Sequence, residues 1–166
     1  QFWANVASDT PANSGNADAS ITSPKVGLVL GPFRNNDIFL NAGYGFHSND
    51  VRGVTIKVDP LDKTMPLEPV PFLVRSKGAE VGVRTKAIPN LDSSVSLFYL
   101  HQGSELVFEG DSGTTSPGPP STRTGVEITN NYRLASWLSF DADLALSRAR
   151  FDGFDTAQDQ LFQSLA

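Results

Sequence analysis

Between Leu138 and Arg150 apolar and polar residues alternate for thirteen positions, and this run limits the fold more than any other feature. Leu138, Phe140, Ala142, Leu144 and Leu146 take one parity, and Ser139, Asp141, Asp143, Ala145 and Ser147 take the other. A helix would scatter both sets around its circumference, whereas a strand puts them on opposite faces. The run also exceeds the ~5–6 residues of an ordinary globular strand and reaches the ~9–11 needed to cross a bilayer at a tilt. The same period recurs at Ile38, Leu40, Ala42, Tyr44 and Phe46, at Ala79, Val81 and Val83, at Val126 and Ile128, and at Val26, Leu28 and Leu30. An all-β chain follows, an antiparallel up-and-down meander of about six or seven long strands. The expected strands are 1–7, 21–33, 38–47, 72–87, 93–109, 121–132 and 137–151, in one continuous segment. From Leu97 to Leu100 both parities are apolar, so the register of 93–109 is ambiguous.

The links between strands carry more information. Phe33 to Asp37, Ile88 to Ser93 and Arg133 to Trp137 are short, whereas 48–71, 110–120 and 152–166 are long. Short and long alternate. In a meander, successive links lie at opposite ends, so one end is trimmed and the other decorated, as in transmembrane barrels with short turns on one side and long loops on the other. A Greek-key sandwich gives no reason for that alternation. The barrel reading makes Ile38, Leu40, Tyr44, Phe46, Leu138, Phe140, Leu144 and Leu146 lipid-facing or interfacial. It makes Glu80, Arg84, Arg123, Glu127, Asp141 and Asp143 lumen-facing. The alternative is a soluble β-sandwich that binds a ligand such as a carbohydrate, in which the charged face is the solvated outside.

Composition removes several classes. The 166 residues include no cysteine, which excludes disulfide scaffolds and thiolate metal sites, and a net charge of −5 argues against a nucleic-acid surface. No apolar run reaches the ~18–20 residues of a membrane helix. The tetrad Gly110-Asp111-Ser112-Gly113 matches a serine-protease nucleophile loop, but only two histidines exist to serve it, and a Pro- and Gly-rich stretch follows at once. It reads as a turn, and no enzyme is expected. His47, Asn49, Asp50 and Arg52 open the longest link and form a candidate polar cluster at its base: a strand-end turn, a network under the loops, or a ligand contact. Asp155 to Leu165 reads either as a short helix or as loop. No cofactor or metal is expected.

Several blocks resemble a known family. Ser23-Pro24-Lys25, Gly31-Pro32-Phe33, the run Gly43 to Asp50, Arg75 to Gly82, Ser104 to Phe108 and Arg148 to Phe151 resemble, in that order, the barrel of TonB-dependent outer-membrane receptors. That resemblance implies a 22-stranded barrel in the outer membrane of a Gram-negative bacterium. It implies a plug domain and the TonB energy-coupling complex as partners. It also implies energised uptake of a scarce ligand of the siderophore, cobalamin or oligosaccharide class. Neither plug nor TonB-contacting box lies in these residues, which open on Gln1, so the chain is expected to be a fragment of about a third of such a wall, touching outer-membrane lipid.

Overall fold

The structure is a computed structural model and describes residues 1–109 and 114–152. The Gly110 tetrad and the 155–165 segment lie outside them, as does most of the 152–166 loop. The chain divides into two compact units: 1–23, 45–76 and 102–120 form the first, and 24–44, 77–101 and 121–166 the second.

The principal sheet has six strands: β3 (Lys25–Phe33), β4 (Asn36–Ser48), β5 (Leu73–Thr85), β6 (Leu91–Gln102), β9 (Ser121–Ala135) and β10 (Leu138–Phe151). Their order in the sheet is their order in the chain, which is the expected meander. Its short links have clear local causes. Arg34 and Asn35 both adopt positive φ, 53° and 67°, the mirror-image turn that matches strand twist, and Phe33 pairs with Asn36 across it. Asn90 (φ 64°) closes the β5–β6 turn, where the Leu91 amide donates to the Ile88 carbonyl. Ser136 and Trp137 alone join β9 to β10, with Leu138 paired to Ala135. The long links are 49–72 and 103–120, so the alternation of short and long holds.

The differences from expectation lie mainly in the first unit. Residues 1–7 do not add a strand to the meander. Here β1 (Phe2–Val6) pairs with β2 (Gly15–Ala19) as a separate hairpin, Phe2 opposite Ala19 and Val6 opposite Gly15. The strand expected from 21 begins at Lys25, just after Pro24, whose missing amide proton suits a strand boundary. Strand 93–109 ends at Gln102, and a second small hairpin, β7 (Leu106–Glu109) with β8 (Thr114–Pro117), follows a short break. The 48–71 link holds one helical turn, α1 (Val51–Thr55), and a bridge between Val58 and Pro66. Asn13 staples this link to the first hairpin's connection: its Oδ1 accepts from the amides of Lys57 (2.8 Å) and Val58 (3.0 Å), and its Nδ2 donates to the Val58 carbonyl (2.8 Å). Phe2 meets Phe46 and Phe72 edge-on, with ring centres 5.3 and 6.4 Å apart.

Among the described residues no hydrophobic side chain is buried. Two sheets packed face to face would bury the alternate apolar residues of both, so the sandwich alternative lacks the core that defines it.

Candidate functional site: the two faces of the sheet

Hydrogen bonds fix how the strands align. Ser93 Oγ donates to Asn130 Oδ1 (2.7 Å) and Ser94 Oγ lies 2.7 Å from Thr129 Oγ1, which sets β6 against β9. Asn41 Nδ2 donates to Glu80 Oε2 (3.2 Å), which sets β4 against β5. Leu144 pairs with Ile128 and Leu146 with Val126. One face of the sheet therefore gathers Leu28, Leu40, Val81, Leu97, Val126 and Leu146 on a single rung, and every strand contributes an apolar residue. This alignment also resolves the register of β6: Val95, Leu97 and Tyr99 share the apolar face, and Ser94, Ser96, Phe98 and Leu100 share the other.

On β4, β5 and β6 burial runs opposite to polarity, whereas on β9 Val126 and Ile128 are half-buried beside an exposed Glu127, and β10 beyond Leu138 is exposed on both faces. On β6, Leu97 is 58 % exposed and Val95 45 %, while Ser96 between them is 5 % exposed. On β5, Val81 and Val83 are exposed, and Gly82 between them is buried. On β4, Ile38, Leu40, Ala42, Tyr44 and Phe46 are exposed, while Asp37, Phe39, Gly43, Gly45 and His47 are half-buried. Water-soluble proteins place their apolar stripe inward, because each Å² of apolar surface removed from water is worth ~25 cal/mol. These three strands carry the stripe outward.

The polar face holds the charged residues that the alternation assigns to it. Arg84 lies over the Phe39 ring, 5.9 Å from its centre, and Asn131 Nδ2 donates to Asp141 Oδ1 at 2.6 Å. Arg84, Asp92, Ser94, Asn131, Asp141 and Asp143 border a shallow polar cleft of about 190 Å³. Glu80 is held by Asn41, whereas Arg123 and Glu127 stand exposed farther along β9. Single-strand patterning misses the role of two aromatics here. Phe39 packs against Gly82 and Phe98 against Gly125, so closely that a Cβ on either glycine would lie 2.3 or 2.6 Å from the ring. The two glycines are the available signal, since each leaves a notch that a ring from the next strand fills.

At the base of the long link the expected cluster divides. Asp50 caps α1, its Oδ1 accepting from the Arg52 amide at 2.9 Å, and the Arg52 guanidinium grips both carboxylate oxygens. That guanidinium holds the Asp50 carboxyl below its ordinary range. Asn49 is buried and ties the link back to β5's approach through its amide to the Phe72 carbonyl (3.0 Å) and its Nδ2 to the Pro71 carbonyl (2.7 Å). His47 Nε2 and Asn49 Oδ1 are enclosed without a hydrogen-bond partner, and no hydrogen bond joins either side chain to the Asp50–Arg52 pair among the described residues. Among those residues no three His, Asp or Glu side chains converge where a metal ion would sit, and no helix is long and apolar enough to cross a membrane.

Comparison with known proteins adds a likeness of fold. No family model and no curated protein matches the sequence. The FrpB iron transporter from Neisseria meningitidis (F3-3 variant) superposes with a TM-score of 0.57 at 15 % identity, over 83 % of this chain. The chain spans 21 % of that transporter's length. At this identity the likeness is one of fold.

Proposed function

We propose that this chain is part of the wall of a transmembrane β-barrel in a Gram-negative outer membrane, within a receptor of the TonB-dependent kind that takes up a scarce ligand. One observation carries the reading: β4, β5 and β6 expose their apolar face and shelter their polar one, as suits a wall between lipid and a wet lumen. Dimensions agree. From Leu138 to Arg148 the outward residues of β10 span ten steps, about 34 Å along the strand at ~3.4 Å each, or about 26 Å of height at a ~40° tilt, against the ~25 Å apolar band of such barrels. The fold likeness to an iron transporter supports the same reading.

In this account the role of the chain is solvational and mechanical, not catalytic. Ile38, Leu40, Leu144 and their rung partners meet acyl chains, while Glu80, Arg84, Asp141 and Asp143 meet lumen water. The links 49–72 and 103–120 stand on the outer surface, and the plug and the TonB complex act on the wall from within and below. The test is partition. Refolded with lipid vesicles, the protein is expected to float with them as β-rich material and to stay dispersed without lipid only in detergent. A compact monomer in plain buffer, melting cooperatively, would overturn the reading.

A further inference from the structure

The outward face is not uniform, and its end nearest the long links combines a notch with a row of cations. Val26 pairs with Ala42 and Leu28 with Leu40. The Asn41–Glu80 bond brings Ala42 beside Ala79, so two methyl groups stand where the rung below carries Leu40 and Val81. The result is an open apolar groove of about 560 Å³ bordered by Val26, Leu28, Leu40, Val81, Leu97 and Tyr99. One alternation farther along β5 and β6, polarity changes. Gly78 lies against the Tyr99 carbonyl and Gly82 against that of Val95, which sets Lys77 beside His101. His101 Nδ1 lies 3.3 Å from Thr122 Oγ1, and Thr122 pairs with Arg150. Lys77, His101, Thr122 and Arg150 thus form one rung across four strands, with Arg148 on the rung below. Asp152 also lies at this end, and it is engaged by His101 (3.2 Å) and Thr122 (3.2 Å). Lys77, Arg148 and Arg150 are exposed and form no ion pair among the described residues.

We propose that this end of the outward face is a binding site for a membrane lipid with an anionic phosphate headgroup: one acyl chain lies in the Ala42–Ala79 groove and the phosphate rests against Lys77, with Arg148 and Arg150 extending the positive field. The inference rests on the wall reading above. Charge complementarity selects the occupant. A neutral lipid would fill the groove and leave the cations unanswered, and a free anion would leave the groove empty. Cationic side chains beyond an apolar band stretch their charge to the headgroup level, where anionic lipids gather.

The test uses the full chain in neutral detergent micelles, with dimyristoyl phosphatidic acid, dimyristoyl glycerol and inorganic phosphate as probes, and bound lipid counted by native mass spectrometry. Phosphatidic acid is expected to bind more tightly than the glycerol with the same chains, and millimolar phosphate is expected not to displace it. Lys77→Gln with Arg150→Gln should weaken phosphatidic acid about 30-fold, to the level of the glycerol. Ala79→Leu, which fills the groove, should weaken both lipids. Should the double variant fail to fold, the single K77Q and R150Q variants replace it, and each should lose part of the effect. Equal binding of the two lipids, full displacement by phosphate, or unchanged binding by the charge variants would overturn the proposal. If those results came from protein that still floats with vesicles, the wall reading would survive them; failure to enter vesicles at all would remove both.

Discussion

Placing an arginine on the outward face at graded heights separates a lipid-facing sheet from a water-facing one. Leu144 lies on β10, opposite Ile128 of β9. Leu144 is six steps from Leu138 and four from Arg148, so at ~3.4 Å per step and ~40° of tilt it lies about 3 Å from the middle of the apolar band. Arginine at the midplane of a barrel's lipid face costs ~2–4 kcal/mol, falling to ~0–1 near the interface. Leu144→Arg should therefore lower the folding constant about 30- to 900-fold, Leu146→Arg less, and Leu138→Arg, at the end of the band, about fivefold or less. In water the order would vanish, because surface substitutions at half-exposed positions stay within ~0.5 kcal/mol. Reversible urea unfolding from lipid vesicles, followed by the fluorescence of Trp3 and Trp137, supplies the measurement. Equal stability of the Leu144→Arg and Leu138→Arg proteins would refute the reasoning.

Two further predictions concern the polar face and the loop base. A Cβ at Gly82 would sit 2.3 Å from Phe39 Cζ and 2.7 Å from the Val95 carbonyl oxygen, and that backbone oxygen has nowhere to go, so Gly82→Ala should cost ~1–3 kcal/mol of unfolding free energy in the same urea assay, with Phe39→Leu recovering part of it; a neutral Gly82→Ala would contradict the packing described. The Asp50 carboxyl titrates below its unfolded value because Arg52 holds it, so its stabilisation of α1 is complete above about pH 4 and is lost as pH falls through the depressed folded value; hydrogen exchange at the Arg52 amide should accelerate there beyond its intrinsic pH dependence, and Asp50→Ala, which removes a cap worth ~1 kcal/mol, should abolish that acid step.

Much of this fold could be read from one strand at a time, and what could not be read depends on two. The period-two stripes of β4, β5 and β10 stand in the sequence because a strand's own geometry sorts odd from even residues. The alternation of short and long links is equally local. The register of 93–109 was ambiguous because Phe98 and Leu100 look like core residues until Gly125 is known to lie opposite Phe98. The Phe2–Val6 strand leaves the meander because its partner is Gly15–Ala19, a stretch of Gly, Asn, Ala and Asp with little strand propensity of its own. The Asn13 staple joins residues forty-five apart, and nothing in either stretch announces the other. At the candidate site, the charged positions of the polar face were legible by parity, whereas the separation of His47 and Asn49 from the Asp50–Arg52 pair is set by how the 49–72 link folds back.

The central claim is that alternate residues of this sheet face lipid and water, and a cysteine scan along β6 tests it most directly. The chain contains no cysteine, so single substitutions from Ser93 to His101 each place one label at a known position. With a fluorophore on each and the protein in vesicles, positions 95, 97 and 99 are expected to be quenched by bromine on lipid acyl chains. Positions 94, 96 and 98 should answer instead to a water-soluble quencher. Quenching without alternation, or with the aqueous quencher reaching 95, 97 and 99 best, would contradict the account.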